Sequence, residues 1–452
     1  MSEDPARPDW VVRLRRDATR FFNAGVAAAE PGGAVLRHLR AQDGKLFIRR
    51  ADKRSERSAD WTAVRVLAFG KAALAMARAA ASIIPEPLFR GPGIAVTNYE
   101  NVAALPGFAV MGAGHPLPDA NGVAAAKAVA ETAELAGQGE LVLVLISGGG
   151  SALLPYPADG LTLEDKIATT NLLLASGADI GEINAVRKHL SRLKGGGLVR
   201  LAGPADVHAL ILSDVLGDDL STIASGTTVP DPTSFGDARD VLMRRGAWDK
   251  VSASVRARIE SGIVGDVPET PKPGDPVFDH TEATLVGSNA VSLTSVKAAA
   301  EASGYRVVVF SNCLTGEARE AARSMAALAA REKGPVAIIA GGETTVTLKG
   351  KGRGGRNQEM ALAFAVAAEE MKLAAHCVFL SGGTDGRDGP TDAAGGLTDP
   401  DTAARVRAKG ADPKSLLDDN DSYRALDLAG DLLRTGATGT NVADLQILLI
   451  GG

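Results

Sequence analysis

The stretch LVLVLISGGGSALLPYP, residues 141–157, is six aliphatic residues followed by Ser147, Gly148, Gly149, Gly150 and Ser151. An apolar run of that length without alternation is expected of a strand covered on both faces, as in a parallel sheet flanked by helices. The glycines after it leave amide N–H groups bare and allow left-handed backbone, the ingredients of a concave anion nest. A helix beginning near Ser151 would add its own free amides. The stretch lacks G-x-x-x-x-G-K-[ST] and the third spaced glycine of G-x-G-x-x-G, so it points to an anion more strongly than to a dinucleotide.

Outward from there, short Val/Ile/Leu runs alternate with Ala-rich amphipathic stretches, the pattern of parallel strands joined by crossover helices, and an α/β fold is expected. Strands are predicted at 64–69, 93–98, 108–111, 141–147 and 208–213, then at 305–311, 336–341, 344–349, 376–381 and 445–450. IVGDVPETPKPGDPVFDH, residues 263–280, holds four prolines and no periodicity. It reads as a linker between one domain over 1–262 and another over 281–452. KLFIRRADKRSERSADW, residues 45–61, reads as a surface hairpin with a solvated basic face.

The 452 residues suit two or three domains, and a net charge of −5 from 49 basic and 54 acidic residues offers no basic stripe for nucleic acid. Two cysteines make no disulfide framework, the N-terminus has no secretory apolar region, and no apolar run is long enough for a membrane helix. A cytoplasmic protein with small-molecule partners is expected, as a monomer or homodimer.

Ligands of open α/β sheets bind beyond the carboxyl ends of the strands, and those positions here are polar and glycine-rich. Lys71 follows the strand VRVLAF and Gly70 at the positive end of a predicted helix, where an anion should compensate it. KHLSRLKGGGL, residues 188–198, puts Lys188, Arg192 and Lys194 before glycines that read as a helix cap. In GKGRGGRNQE, residues 350–359, Lys351, Arg353 and Arg356 alternate with glycines, as in a phosphate or carboxylate clamp. Asp214 ends an apolar strand, and Asp385, Asp388 and Asp392 share one loop. Carboxylates of this kind suit Mg²⁺ bound together with phosphate oxygens. His115 and His189 read as structural hydrogen-bonders. Cations, an anion nest and carboxylates at strand ends are the parts of phosphoryl transfer, so a kinase is expected.

The motifs FGKAALAMA, GHPLPDANG, SGGGSALLPYPADGLTLEDK, SGADIGEINAVRKHLSRLKGGGL, SDVLGDDLSTIASGTTVPDPT, GGETTVTLKGKGRGGRNQEMALA, SGGTDGRDGPTDAAGG and TNVADLQILLIGG strongly resemble the glycerate 2-kinases that carry a C-terminal MOFRL domain. The resemblance runs from about Val64 to the C-terminus. It implies a larger Rossmann-like domain and a smaller MOFRL domain with the site in a cleft between them. The implied reaction is ATP- and Mg²⁺-dependent phosphorylation of D-glycerate on its 2-hydroxyl. It places the phosphate loop on Ser147, Gly148, Gly149, Gly150 and Ser151 and the catalytic groups on Lys71, Asp214, Arg356 and Asp385; Lys194, from the second glycine-flanked basic stretch, is expected to bind the nucleotide with that loop. Asp214 and Asp385 divide the roles of base and metal ligand, in an order left open. Similar chains are sometimes labelled hydroxypyruvate reductase. An NAD(P)H-dependent reductase would carry the missing dinucleotide fingerprint, and a sugar-acid binder without turnover would not need the acidic groups.

Overall fold

The computed structural model describes residues 7–52, 54–373 and 376–451. It divides into two units, one spanning Pro31–Val286 and the other made of the chain up to Glu30 with the chain from Gly287 on.

In the Pro31–Val286 unit a six-stranded sheet has the order Phe108–Ala113, Gly93–Asn98, Ala63–Phe69, Glu140–Ile146, Asp206–Leu212, Thr281–Gly287. The first five are parallel. In chain order this is 3-2-1-4-5-6, the doubly wound Rossmann arrangement, whose direction reverses between strands one and four. Those two are Ala63–Phe69 and Glu140–Ile146, and their carboxyl ends carry Gly70-Lys71 and Ser147–Ser151. Leu141 to Ile146 are all buried because helices cover both faces, and Val142, Val144 and Ile146 pack with Leu67, Val96 and Ile211. Each such side chain contributes roughly 1.5–3 kcal/mol by leaving water.

The other unit has a sheet in the order Arg306–Leu314, Val336–Gly342, Asp444–Ile450, Cys377–Gly383, Gly395–Thr398, Leu432–Leu433. Only its first pair is parallel, and Asp444–Ile450 is inserted antiparallel to both of its neighbours. The parallel pattern expected along the chain is therefore a mixed sheet here. The segment leading into Asp444 from Leu433 holds no helix and leaves too little chain to recross the sheet. Residues 344–349, expected as a strand, make only an isolated bridge at Thr345, and the amides of Lys349 and Gly350 bond to the Asn420 side chain instead.

The expected boundaries also change. The helix Asp9–Ala28 belongs to the second sheet, not to a domain over 1–262. Its buried stripe of Val11, Leu14, Ala18, Phe21 and Phe22 packs with Val378, Leu380 and Leu445. Its buried Arg15 joins Asp399 at 3.0 Å and Asp431 at 2.9 Å. Residues 263–280 are no interdomain linker but a strap on the Pro31–Val286 unit, where Pro271 accepts the Asp231 amide and Thr270 donates to the Asp231 carboxylate. Residues 45–61 do form strands, Lys45–Arg49 and Glu56–Arg57, yet Arg57 is buried, bonding the carbonyls of Val207 and His280. Among the described residues no helix is long and apolar enough to cross a membrane.

Candidate functional site

At the strand reversal of the Pro31–Val286 unit, two turns are stitched together. Ser147 Oγ accepts the Ala72 amide at 3.0 Å, and the Lys71 amide donates to the Gly148 carbonyl at 2.9 Å. Ser147 is thus buried and braces the turns, rather than presenting its hydroxyl to a ligand. The amides of Gly148, Gly149 and Gly150 make no hydrogen bond among the described residues and stay available as donors. Gly149 is left-handed at φ 87°, and a Cβ there would meet the His115 ring at 3.0 Å.

Asp214, just past Asp206–Leu212, rests against Gly148, where a Cβ would stand 2.1 Å from Oδ2. Burial pushes its carboxyl above the ordinary aspartate value, with its own backbone amide, Lys71 and His115 opposing. The His115 ring is depressed by burial and then by Lys71, against Asp214 and Glu100. A neutral imidazole at neutral pH follows. His115 therefore sits among the charged groups of this turn, not in the structural role expected of it. His189 does take that role, buried with Nδ1 2.6 Å from the Ala185 carbonyl.

Ser151 is held from the other side. Lys194 Nζ donates to its carbonyl at 3.0 Å and to its Oγ at 3.1 Å, and Ser225 Oγ lies 2.6 Å from the same hydroxyl. Ala224 and Ser225 hold φ of 49° and 55°, a left-handed pair costing about 1 kcal/mol or more each that the fold retains where it fixes Ser151. Of the three cations of KHLSRLKGGGL only Lys194 meets Ser151. Lys188 pairs with Asp231 at 3.3 Å, and Arg192 lies over Tyr156.

In the other unit Arg356 opens the helix Arg356–Glu370. Its Nε and Nη2 grip the fully buried Asp444 carboxylate at 2.6 and 3.0 Å, and Nη1 reaches Glu343 at 2.8 Å. Burial opposes the guanidinium charge, but Asp444 and Glu343 outweigh it and raise its pKa. Asp444 pairs in register with both Gly342 and Gly383, which brings three strand ends to one carboxylate. Asp385 lies beside it, since a Cβ on Gly383 would be 3.2 Å from Asp385 Oδ1 and 3.6 Å from Asp444 Oδ1. Asp388 instead caps the helix, accepting the Asn357 and Gln358 amides at 3.1 and 2.8 Å, and burial carries its pKa to about 7. Asp392 is a surface partner of Tyr423 and Arg434. Arg353 stacks on Tyr423, and Lys351 is exposed. Asp444 was not singled out from the sequence, although an acidic residue directly before LQILLI, a run apolar but for Gln446, was the available signal.

The family model described as a domain of unknown function, DUF4147, matches residues 17–260, and that of the MOFRL family matches residues 336–444. The chain is 40% identical over 445 residues to the glycerate 2-kinase of Pyrococcus horikoshii, covering 97% of each. It belongs to the glycerate kinase family. The solved glycerate kinase of Thermotoga maritima superposes with a TM-score of 0.85 at 39% identity, over 97% of this chain and 100% of that one. A family relative from Agrobacterium vitis, 41% identical over 97% of this chain and 95% of its own, carries a hydroxypyruvate reductase name.

Proposed function

We propose that this protein transfers the γ-phosphoryl group of ATP to the 2-hydroxyl of D-glycerate, giving 2-phospho-D-glycerate and ADP. The observation that carries the reading is the Asp214 carboxylate set on Gly148 at the strand reversal, with Lys71 and the unbonded glycine amides around it. A carboxylate raised by burial is a better proton acceptor than an ordinary one. Asp214 takes the hydroxyl proton, the freed oxygen attacks the γ-phosphorus, and the bond to the β-phosphate oxygen breaks as ADP leaves. The glycine amides and Lys71 stabilise charge on the transferring group without reorganising. Neutral His115 adds no competing charge at neutral pH.

Arg356 is the proposal's second cation, its plane fixed by Asp444 and its outer edge held by the half-exposed Glu343. That edge can exchange Glu343 for a carboxylate or phosphoryl oxygen. The described residues contain no group of three or more His, Cys, Asp or Glu able to hold a metal. Single carboxylates such as Asp214 or Asp385 fit Mg²⁺ that arrives with the nucleotide and keeps its other ligands from phosphates and water. Bound there, it would supply charge neutralisation to the phosphates. A reducing cytoplasm suits Cys313 and Cys377, neither of which is in a disulfide.

A nicotinamide reductase would need its glycine fingerprint after the first strand. After Ala63–Phe69 the chain instead reads Gly70-Lys71-Ala72-Ala73. The test is an ADP-release assay with D-glycerate beside a hydroxypyruvate and NAD(P)H control. NAD(P)H oxidation without ADP release contradicts the proposal.

A further inference from the structure

A cavity of about 210 Å³ in the Pro31–Val286 unit adjoins Ser151 and is lined by Lys166, Arg187 and Lys194. Lys166 is 8% exposed and Lys194 2%. Lys166 Nζ donates to the Leu190 carbonyl at 2.8 Å, while Arg187 and Lys194 meet Ser151 oxygens at 3.5 and 3.0 Å. These partners are all neutral. The charges acting on Lys166 and Lys194 are those of other cations, Arg187 foremost. Among the described residues none of the three forms a salt bridge. Cations buried side by side without a counter-charge are costly, so the arrangement is one that an incoming anion completes. The lip of the cavity is apolar, with Leu117 70% and Leu174 59% exposed.

We propose that this cavity is the nucleotide's subsite, with its polyphosphate on Lys166, Arg187 and Lys194 and its base against Leu117 and Leu174. The inference rests on the kinase reading and deepens it. A polyphosphate carries several negative charges and matches a cluster of three cations, whereas glycerate brings one carboxylate. The base has an apolar face for the two leucines, and a small hydroxy acid has none. Ser151 belongs both to the cavity and to the glycine turn, so phosphates seated here continue toward the free amides.

The test is calorimetric titration of ADP, inorganic tripolyphosphate and D-glycerate into wild type, Lys166→Gln, Arg187→Gln and Leu117→Glu. The inference predicts that both cation variants weaken ADP and tripolyphosphate by about tenfold or more, the loss of one charge-assisted contact, and leave D-glycerate unchanged. Leu117 is exposed, so its variant folds regardless, and it should weaken ADP. Unchanged ADP affinity in Leu117→Glu and the folded cation variants overturns the inference, as does a loss confined to D-glycerate. The two readings separate cleanly. Wild type that binds ADP through these cations yet never phosphorylates D-glycerate leaves the subsite standing and removes the kinase. Turnover with ADP affinity indifferent to the cations does the reverse.

Discussion

Oδ2 of Asp214 occupies the space that a side chain on Gly148 would need, 2.1 Å from the ideal Cβ position. The glycine is thus part of how the carboxylate is aimed. Gly148→Ala should displace Asp214 by about an ångström and lower kcat on the order of 100-fold, since a shift of that size is enough to spoil an attack geometry. Circular dichroism should be native. Wild-type kcat in Gly148→Ala would separate Asp214 from the chemistry.

Lys71 is exposed and, among the described residues, no hydrogen bond holds its side chain, so Lys71→Ala should leave the urea midpoint within experimental error. If the ammonium stabilises the transferring group, kcat/KM falls by about 100-fold or more. Stability and activity therefore part company at this residue. A variant with near-normal turnover would remove Lys71 from the site.

Asp444 is fully buried and anchors Arg356, which is 35% exposed. Asp444→Ala leaves a partly buried guanidinium without its bidentate partner. Because part of that group can turn to water, the cost should be about 2–3 kcal/mol, at or below the low end for a broken buried pair. Urea denaturation should show a lower midpoint at unchanged slope. An unchanged midpoint would mean that the pair holds nothing in place.

The buried cations make a pH prediction of definite sign. Burial, then Arg187 and Arg258, pulls Lys166 down to about 7 in the folded protein, against about 10.4 in an unfolded chain. Between those values the unfolded chain binds a proton that the folded one does not, so stability rises with pH above about 7. Lys194 is shifted the same way. Ligand-free Lys166→Met should exceed wild type in urea midpoint at pH 6, with the gap narrowing toward pH 9. A gap that widens with pH would contradict the depressed ammonium.

How much of this could be read from residues alone depends on whether a signal is local. The run Leu141–Ile146, the glycine turn after it and the strand-end Lys71 and Asp214 are each written in consecutive residues, and the structure brings those two groups to one turn. The stripe of Asp9–Ala28 announces that the helix must be buried, but the complementary surface at Val378, Leu380 and Leu445 lies about 350 residues or more further along the chain. Proline content alone cannot distinguish a strap pinned by Asp231 from a linker. Asp444 looks like an ordinary strand start until its strand is known to lie between Gly342 and Gly383. Lys166 and Arg187 stand 21 positions apart in unremarkable helices, and only packing makes them a cluster.

The proposed reaction transfers a phosphoryl group to the hydroxyl next to a clamped carboxylate. A cation that holds the carboxylate fixes C1 and leaves the C2 hydroxyl nearest the anchor, while C3 turns away. Reacting oxygens must come within about 3–3.5 Å, so one carbon of displacement excludes the other hydroxyl. Phosphorus NMR of the product from D-glycerate, ATP and Mg²⁺ tests this most directly. The 2-phosphate with stoichiometric ADP is the predicted result. The 3-phosphate would contradict the anchoring, and no phosphorylated product would contradict the kinase itself.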